Sequence, residues 1–334
     1  MIPESHVLRQ TPGWQQLLGA AITDPAELLS RLGLGPEWLA PARAAARRFP
    51  LRVPAGFVAR MRRGDPHDPL LRQVLPLAEE CLAATGYTRD PVGDLSARRA
   101  PGLLQKYAGR VLLTATGACA VHCRYCFRRH FPYGDENASA DHFRAALAEI
   151  AADATIREVI LSGGDPLTLS DRRLREFSDV LAGIAHVERL RLHTRLPVVL
   201  PERIDTGLID WLRSLSVPVV IVIHANHPNE LDATVATGLG LLRAGGATLL
   251  NQSVLLKGVN DNPGALIALS ERLFTLGVLP YYLHQLDRVE GAAHFEVEDA
   301  AARQLHDELR HRLPGYLVPR LVREVEGAPA KQSL

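Results

Sequence analysis

Cys119, Cys123 and Cys126 lie in the run Gly117-Ala-Cys-Ala-Val-His-Cys-Arg-Tyr-Cys-Phe-Arg-Arg-His130, a C-x3-C-x2-C spacing that gathers three thiolates on one short loop. Three is one too few for either common closed set. A cubic iron–sulfur cluster normally takes four cysteines, and a structural zinc takes four nitrogen or sulfur ligands. The triad therefore leaves one metal corner free for another molecule to bind. The alternative is a zinc knuckle completed by His122 or His130.

Other residue types further along could serve the same chemistry. Ser162-Gly-Gly-Asp165 offers backbone N–H groups and a carboxylate suited to an ammonium and the backbone-like atoms of an amino acid; on its own, a Gly-Gly pair is simply a tight turn. Arg128, two residues past the last clustered cysteine, carries a guanidinium fork that matches a carboxylate through two parallel hydrogen bonds. The alternative is a solvated charge among Arg124 and Arg129.

These residues need a scaffold that brings them together. From Arg110 onward, short apolar runs alternate with longer amphipathic ones: Val111–Thr114, Glu158–Leu161, Arg189–His193, Val217–Ile223, Ala247–Leu250 and Leu279–Leu283. Such alternation predicts repeated βα units around a parallel sheet, with six strands. The cysteine loop follows the first strand, Gly163-Gly164-Asp165 the second, His193-Thr-Arg195 the third, His224 the fourth, Asn251-Gln252 the fifth and Asp287 the sixth. Polar residues thus recur at C-terminal strand ends, the rim where barrel folds bind ligands. Residues 1–100 have helical spacing, as in Trp14–Ala21 and Pro36–Ala46, and read as a helical extension. Residues 101–290 read as the barrel, and 291–334 as a segment completing its pocket.

Bulk properties narrow the function. The 334 residues suffice for one large α/β domain with an extension. Lys+Arg 38 against Asp+Glu 37 leaves a net charge of +1, which gives no electrostatic reason for a nucleic-acid or membrane partner. No apolar run reaches spanning length, and Met1-Ile-Pro-Glu-Ser lacks the regions of a signal peptide, so a cytoplasmic protein is expected. Four cysteines, three of them clustered, make no disulfide framework. Cys81 reads as a buried helical thiol without a role.

The cysteine triad resembles that of radical S-adenosylmethionine enzymes, in which the methionine amino and carboxylate groups chelate the open iron of a 4Fe–4S cluster. Within that superfamily the chain resembles the lysine 2,3-aminomutases over nearly its whole length. The segments that carry the resemblance are Leu103–Tyr107, Cys123–Tyr133, Leu161–Leu167, His224–Glu230, Asn251–Leu256 and Pro280–His284. The resemblance implies an α/β fold with a partial (β/α)6 barrel, and a second cofactor, pyridoxal 5′-phosphate. Tyr125 sits where the family packs an aromatic on the adenine, which a zinc knuckle would not explain. Ser162, Gly163, Gly164, Asp165, His224 and Gln252 match positions around S-adenosylmethionine. Lys331, in an ungapped register with Gly315–Pro319, matches the lysine joined to pyridoxal phosphate; the usual glycine-rich stretch before it is here Gly327-Ala-Pro-Ala330. Arg195 matches a phosphate-binding arginine and Tyr107 another residue of that pocket. Arg128 matches the arginine for the substrate carboxylate, while Asp287 and Glu324, the latter usually Asp, match the two acids for the substrate's side-chain ammonium.

The implied reaction moves the 2-amino group of L-lysine to carbon 3, giving (R)-β-lysine. An external donor of flavodoxin or ferredoxin type would reduce the cluster. The short tail, with no cysteine after Cys126, and the helical extension resemble the branch whose β-lysine is attached to elongation factor P by a lysyl-tRNA-synthetase-like ligase. The other readings are a stand-alone aminomutase, for lysine or another amino acid, in catabolism or osmolyte synthesis, and a non-catalytic metal-binding module.

Overall fold

The β-branched run Val219–Ile223 is almost wholly apolar, as expected of a strand covered on both faces, and it lies mid-sheet. The computed structural model describes residues 13–136 and 140–334. Met1–Ser5, where a signal peptide was sought, lies outside the described residues. Among those described, ten strands form one sheet in chain order: β1 (Arg98–Ala100), β2 (Leu103–Tyr107), β3 (Arg110–Thr116), β4 (Glu158–Gly163), β5 (Arg189–Thr194), β6 (Val219–His224), β7 (Thr248–Val254), β8 (Leu279–His284), β9 (Arg320–Arg323) and β10 (Gln332–Ser333). β3 to β9 are parallel. Antiparallel pairs β1–β2–β3 and β9–β10 flank them. The sheet is thus an open, partial barrel.

Six of the parallel strands are those expected from the apolar runs. The seventh, β9, is a correction: its four residues are too short a run to stand out, and its parallel pairing with β8 is set by tertiary contact. The correction places Glu324 directly after a parallel strand, on the same rim as the other polar residues.

Helices cross between these strands at Ala140–Ala152, Asp171–Leu181, Thr206–Ser214, Ala233–Ala244 and Pro263–Thr275. Their starts are written in the sequence: the side chains of Ser170, Asp205, Asp232 and Asn262 accept from backbone N–H groups of the first turn. Each such cap is worth about 1 kcal/mol. No helix among the described residues is long and apolar enough to cross a membrane.

The extension is helical only in part. Helices occupy Trp14–Gly19, Pro25–Leu32, Leu39–Arg48 and Ala55–Val58. Beyond them the chain runs irregularly, with 3₁₀ turns at Leu71–Gln73 and Ala78–Cys81. Cys81 is therefore half-buried at a turn, not buried in an α-helix. Leu28, Phe57, Leu70 and Leu71 share one continuous core with Leu113, Leu161 and Ile221 of the barrel. That packing carries Gln73, Glu80 and Asp94 toward the rim.

Candidate active site

The cysteine loop, the strand ends and the tail converge on one cavity of about 530 Å³, within the usual range for a small-molecule site. Cys119, Cys123, Cys126, Tyr125, Arg128, Ser162, Gly163, Gly164, Asp165, Arg195, His224, Gln252, Tyr107, Asp287, Glu324 and Lys331 all line it.

At one end the three thiols face the cavity. Burial, then the neighbouring Cys126, Asp165 and Cys123, push the Cys119 thiol well above its usual pKa, and burial and Cys123 push Cys126 up to about 11. Thiols crowded in this way ionise together only when a metal supplies positive charge. Among the described residues no three His, Cys, Asp or Glu side chains surround a point where one ion could sit. The two histidines of the zinc alternative are engaged elsewhere: His122 Nδ1 contacts Pro50 O at 2.9 Å and His130 Nε2 contacts Glu290 O at 3.3 Å. The set fits a cluster, in which each thiolate takes a different iron, better than a single zinc.

The Gly-Gly turn packs directly on that loop. Gly164 N donates to Thr116 O at 2.7 Å and Asp165 N to Ala118 O at 2.8 Å. A Cβ on Gly164 would lie 2.3 Å from Ala118 O, and Gly163 has a φ of +111°. Both positions therefore need glycine. Asp165 corrects the expectation for its carboxylate. Oδ1 accepts from Leu167 N (3.1 Å) and Thr194 Oγ1 (2.7 Å), and Oδ2 from Arg195 N (2.8 Å) and Leu196 N (3.0 Å). Four bonds fill its lone pairs, so it clamps two loops instead of holding a methionine ammonium. Burial raises its pKa to about 6 despite these bonds.

Arg195 has partners at the cysteine end. It lies beside the cysteines: Nη1 donates to Cys123 Sγ at 2.7 Å, and Nη2 donates to Gln73 Oε1 at 2.5 Å and Glu230 Oε2 at 3.0 Å. Three of its five N–H donors are thus engaged beside the cysteines and Glu230 balances its charge, an arrangement different from the phosphate contact expected of it. Asn226 ties the same network together, donating to Gln73 Oε1 at 3.0 Å and to the Tyr125 hydroxyl at 2.7 Å. Tyr125 is buried and packs edge-on against Phe295. Its hydroxyl lies 3.4 Å from His224 Nε2, and burial, then Arg195, hold the His224 pKa down to about 3. Gln252 follows on the rim of β7.

The other end of the cavity is rich in charge. Lys331 Nζ donates to Glu324 Oε2 and stands 5.9 Å from the centre of the Tyr282 ring. Glu324 also accepts from the Tyr107 hydroxyl at 2.8 Å and lies 3.6 Å from Lys106 Nζ. Burial works to raise the Glu324 pKa, but Lys331, Lys106 and Tyr107 together outweigh it and hold the carboxyl below its usual value. The Asp287 carboxylate has no hydrogen-bond or ion-pair partner among the described residues; burial raises its pKa to about 7, with Lys331 opposing and Glu324 adding to the rise. Arg128 Nε donates to Asp94 Oδ2 at 2.6 Å and its Nη1 to Ser162 Oγ at 3.1 Å. This leaves Nη2 for a guest and turns Ser162 into a support for Arg128.

Several residues of this end were not singled out from sequence. Asp94 bridges Arg128 and Lys106, the latter at 2.7 Å. Arg110, Arg191, Tyr281, Tyr282, His284 and Arg320 also line the cavity, as does His193. Arg110 stacks on the Tyr107 ring at 4.8 Å. Arg110 and Arg320 have no carboxylate partner among the described residues, so they supply the cationic surface that a phosphate needs. The lysine, its aromatic neighbour and these cations fit pyridoxal phosphate. Arg110 and Arg320 open strands β3 and β9, and nothing in the local sequence marks either one.

Fold and site together define a radical S-adenosylmethionine enzyme, and the Radical SAM superfamily model matches residues 113–263. The chain is 45% identical over 331 residues to an L-lysine 2,3-aminomutase of Haemophilus influenzae, covering 99% of this chain and 98% of the relative. It is 47% identical over 322 residues to one of Escherichia coli K12, covering 96% and 94%. An L-lysine 2,3-aminomutase of Clostridium subterminale is 37% identical over 268 residues, covering 80% of this chain and 64% of that one. The chain belongs to the lysine 2,3-aminomutase family of radical S-adenosylmethionine isomerases.

Proposed function

We propose that this protein interconverts L-lysine and (R)-β-lysine. The observation that carries the reading is the pairing of Lys331 with Glu324 beside the unpartnered Asp287. The protein's own alkylammonium pairs with Glu324 within electrostatic reach of Asp287, which supports a place for the side-chain ammonium of a lysine between the two carboxylates. Two carboxylates balance one ammonium and keep it charged when buried. Arg128, held by Asp94 and Ser162, presents Nη2 to the substrate carboxylate. These groups bind the substrate at both ends and hold its middle carbons fixed between cysteines and lysine.

Cys119, Cys123 and Cys126 would hold the cluster, leaving one iron for S-adenosylmethionine beside Gly163, Gly164, His224, Gln252 and Tyr125. Lys331 would hold pyridoxal phosphate, with Tyr107 beside it. When bound, the cluster with S-adenosylmethionine supplies hydrogen-atom abstraction, and pyridoxal phosphate supplies a carrier for the migrating nitrogen. The protein contributes orientation and a cavity that excludes water. A flavodoxin- or ferredoxin-type donor in the cytoplasm would provide the electron.

Anaerobic incubation of the reconstituted protein with dithionite, pyridoxal phosphate, S-adenosylmethionine and lysine tests the reading, with mass-spectrometric and chiral analysis of the product. Absence of β-lysine from a preparation that cleaves S-adenosylmethionine would overturn it. We further propose that the product is attached to elongation factor P by a lysyl-tRNA-synthetase-like ligase. The near-complete coverage of the Haemophilus and Escherichia relatives, but not of the Clostridium one, supports that branch. Adding the ligase and elongation factor P to the reaction, then weighing the factor, tests it.

A further inference from the structure

Strand β5 shows where a guest has to touch the protein. Arg191 and His193 turn toward the cavity from alternate positions of the strand, and Arg195 does so just past its end. With a rise of about 3.3 Å per residue, Arg191 and His193 stand roughly 7 Å apart along the strand. The outer two of the three are committed. Arg191 donates through Nε (3.2 Å) and Nη2 to the two carboxylate oxygens of Glu158, and Arg195 is held by Cys123, Gln73 and Glu230. The middle one is not committed: His193 Nε2 is buried without a hydrogen-bond partner.

A buried polar nitrogen without a partner is costly unless something else fills the role. The charged groups closest to His193 in effect are Arg191, Lys331 and Arg128, with the neutral His284 beyond them. Burial, then these cations, hold the His193 pKa well below its usual value, so the ring is neutral and carries a single N–H. Lys331, Arg128 and Arg191 are paired with Glu324, Asp94 and Glu158, but Arg128 Nη2 remains for an anionic group, and a neutral N–H is a natural second partner for that group.

We propose that His193, through Nε2–H, donates a hydrogen bond to an anionic oxygen of the guest bound between Lys331 and Arg128, which makes it a binding residue of the reaction. The inference rests on the proposed function, because it takes the guests to be pyridoxal phosphate and an amino acid. Two guests share this chemistry: the cofactor, through a phenolate or phosphate oxygen, and the substrate, through its carboxylate oxygen.

The test uses the full-length, cluster-bearing protein as wild type, His193→Ala, His193→Leu and His193→Gln. Two quantities are measured: the Kd for pyridoxal phosphate, by visible-absorption titration without lysine, and the KM for lysine at saturating cofactors. Ala and Leu are expected to weaken one of the two by about ten- to hundredfold, the range for a hydrogen bond to a charged group. A loss in Kd assigns the contact to the cofactor, and a loss in KM to the substrate carboxylate. Gln retains an N–H donor and is expected to stay within about threefold of wild type, a smaller loss than a missing charged hydrogen bond gives. The Leu variant fills the space of the ring, which keeps the comparison sound if the Ala variant unfolds. If Kd and KM both stay within twofold of wild type in a folded, iron-loaded Ala or Leu variant, the inference is overturned, as it is if Gln loses as much as Leu. If wild type binds no pyridoxal phosphate and forms no β-lysine, the proposed function fails instead.

Discussion

The two ends of the cavity are built by opposite means. At the cysteine end most polar groups satisfy one another, with Arg195 Nε the exception: Asp165 accepts four hydrogen bonds, and Arg195, Glu230, Gln73, Asn226 and Tyr125 form one network. At the lysine end several groups are left over. Asp287 has no partner, His193 Nε2 is orphaned, and Arg110 and Arg320 face no carboxylate among the described residues. A saturated network is rigid and loses much when one member is removed. An unsaturated one stores binding capacity for guests that bring the missing charges. The cysteine end thus reads as a fixed mount and the lysine end as a receptor.

Removing the mount has the largest expected effect. Cys119→Ala, Cys123→Ala and Cys126→Ala are each expected to lose the iron and sulfide taken up on anaerobic reconstitution, and all β-lysine formation with it. Cys81→Ala is expected to retain both, because Cys81 lies at a turn outside the cavity. Iron and sulfide analysis of the four variants checks this; loss of iron in the Cys81 variant would break the distinction between mount and bystander.

The next effect belongs to the receptor alone. Lys331→Ala is expected to keep the iron–sulfur spectrum, lose the visible absorption of bound pyridoxal phosphate, and form β-lysine about a thousandfold more slowly or worse, as when a residue acting in covalent catalysis is removed. Borohydride reduction followed by peptide mapping locates the cofactor directly. Lys106 lines the same cavity but is held by Asp94 at 2.7 Å, so a label there in place of Lys331 would reassign the receptor's centre.

Asp287 gives a smaller effect with a pH signature. Its pKa near 7 in the free protein means that the carboxyl is neutral below that pH and charged above it. The lysine ammonium is charged throughout this range, so kcat/KM is expected to rise from pH 5 to 8 along a one-proton limb centred near 7. Asp287→Asn is expected to abolish that limb and to raise KM by about ten- to hundredfold, the cost of a lost charged hydrogen bond. A limb of unchanged position in the variant would assign it to another group.

The contrast between the two ends also explains what the sequence revealed. The mount was legible because its chemistry is local: three cysteines and a Gly-Gly turn carry their spacing in short runs, and the βα alternation placed them on one rim. The receptor was legible only through resemblance, since Lys331, Glu324 and Asp287 come from separate segments that composition would not single out. The partners of Arg195 were not legible, because alignment gives a position along β5 but not its contacts. Glu230 and Gln73, far away in sequence, decide its role. Asp94 and the seventh parallel strand were missed for the same reason: neither has a local pattern, and tertiary contact alone puts them in place.

Asp94 offers the smallest effect and links the extension to the receptor. It is almost fully buried, and although burial would raise its pKa, Arg128 and Lys106 pull it down to about 2. Because the folded value lies below the unfolded one, near 3.9, the carboxylate contributes stability above pH 4 that is lost as pH falls toward 2. The contribution is about 2 kcal/mol. Asp94→Asn is expected to lower Tm at pH 7 and to flatten the fall in Tm between pH 5 and 3. Arg128 would keep its charge and its bond to Ser162 but lose the anchor on Nε, so KM for lysine is expected to rise only about three- to tenfold, with kcat little changed, as for one modest charge-assisted contact. A merely structural role would lower Tm and leave KM alone. A rise in KM restored by Asp94→Glu, which returns the carboxylate, would show that the extension tunes the receptor through Arg128.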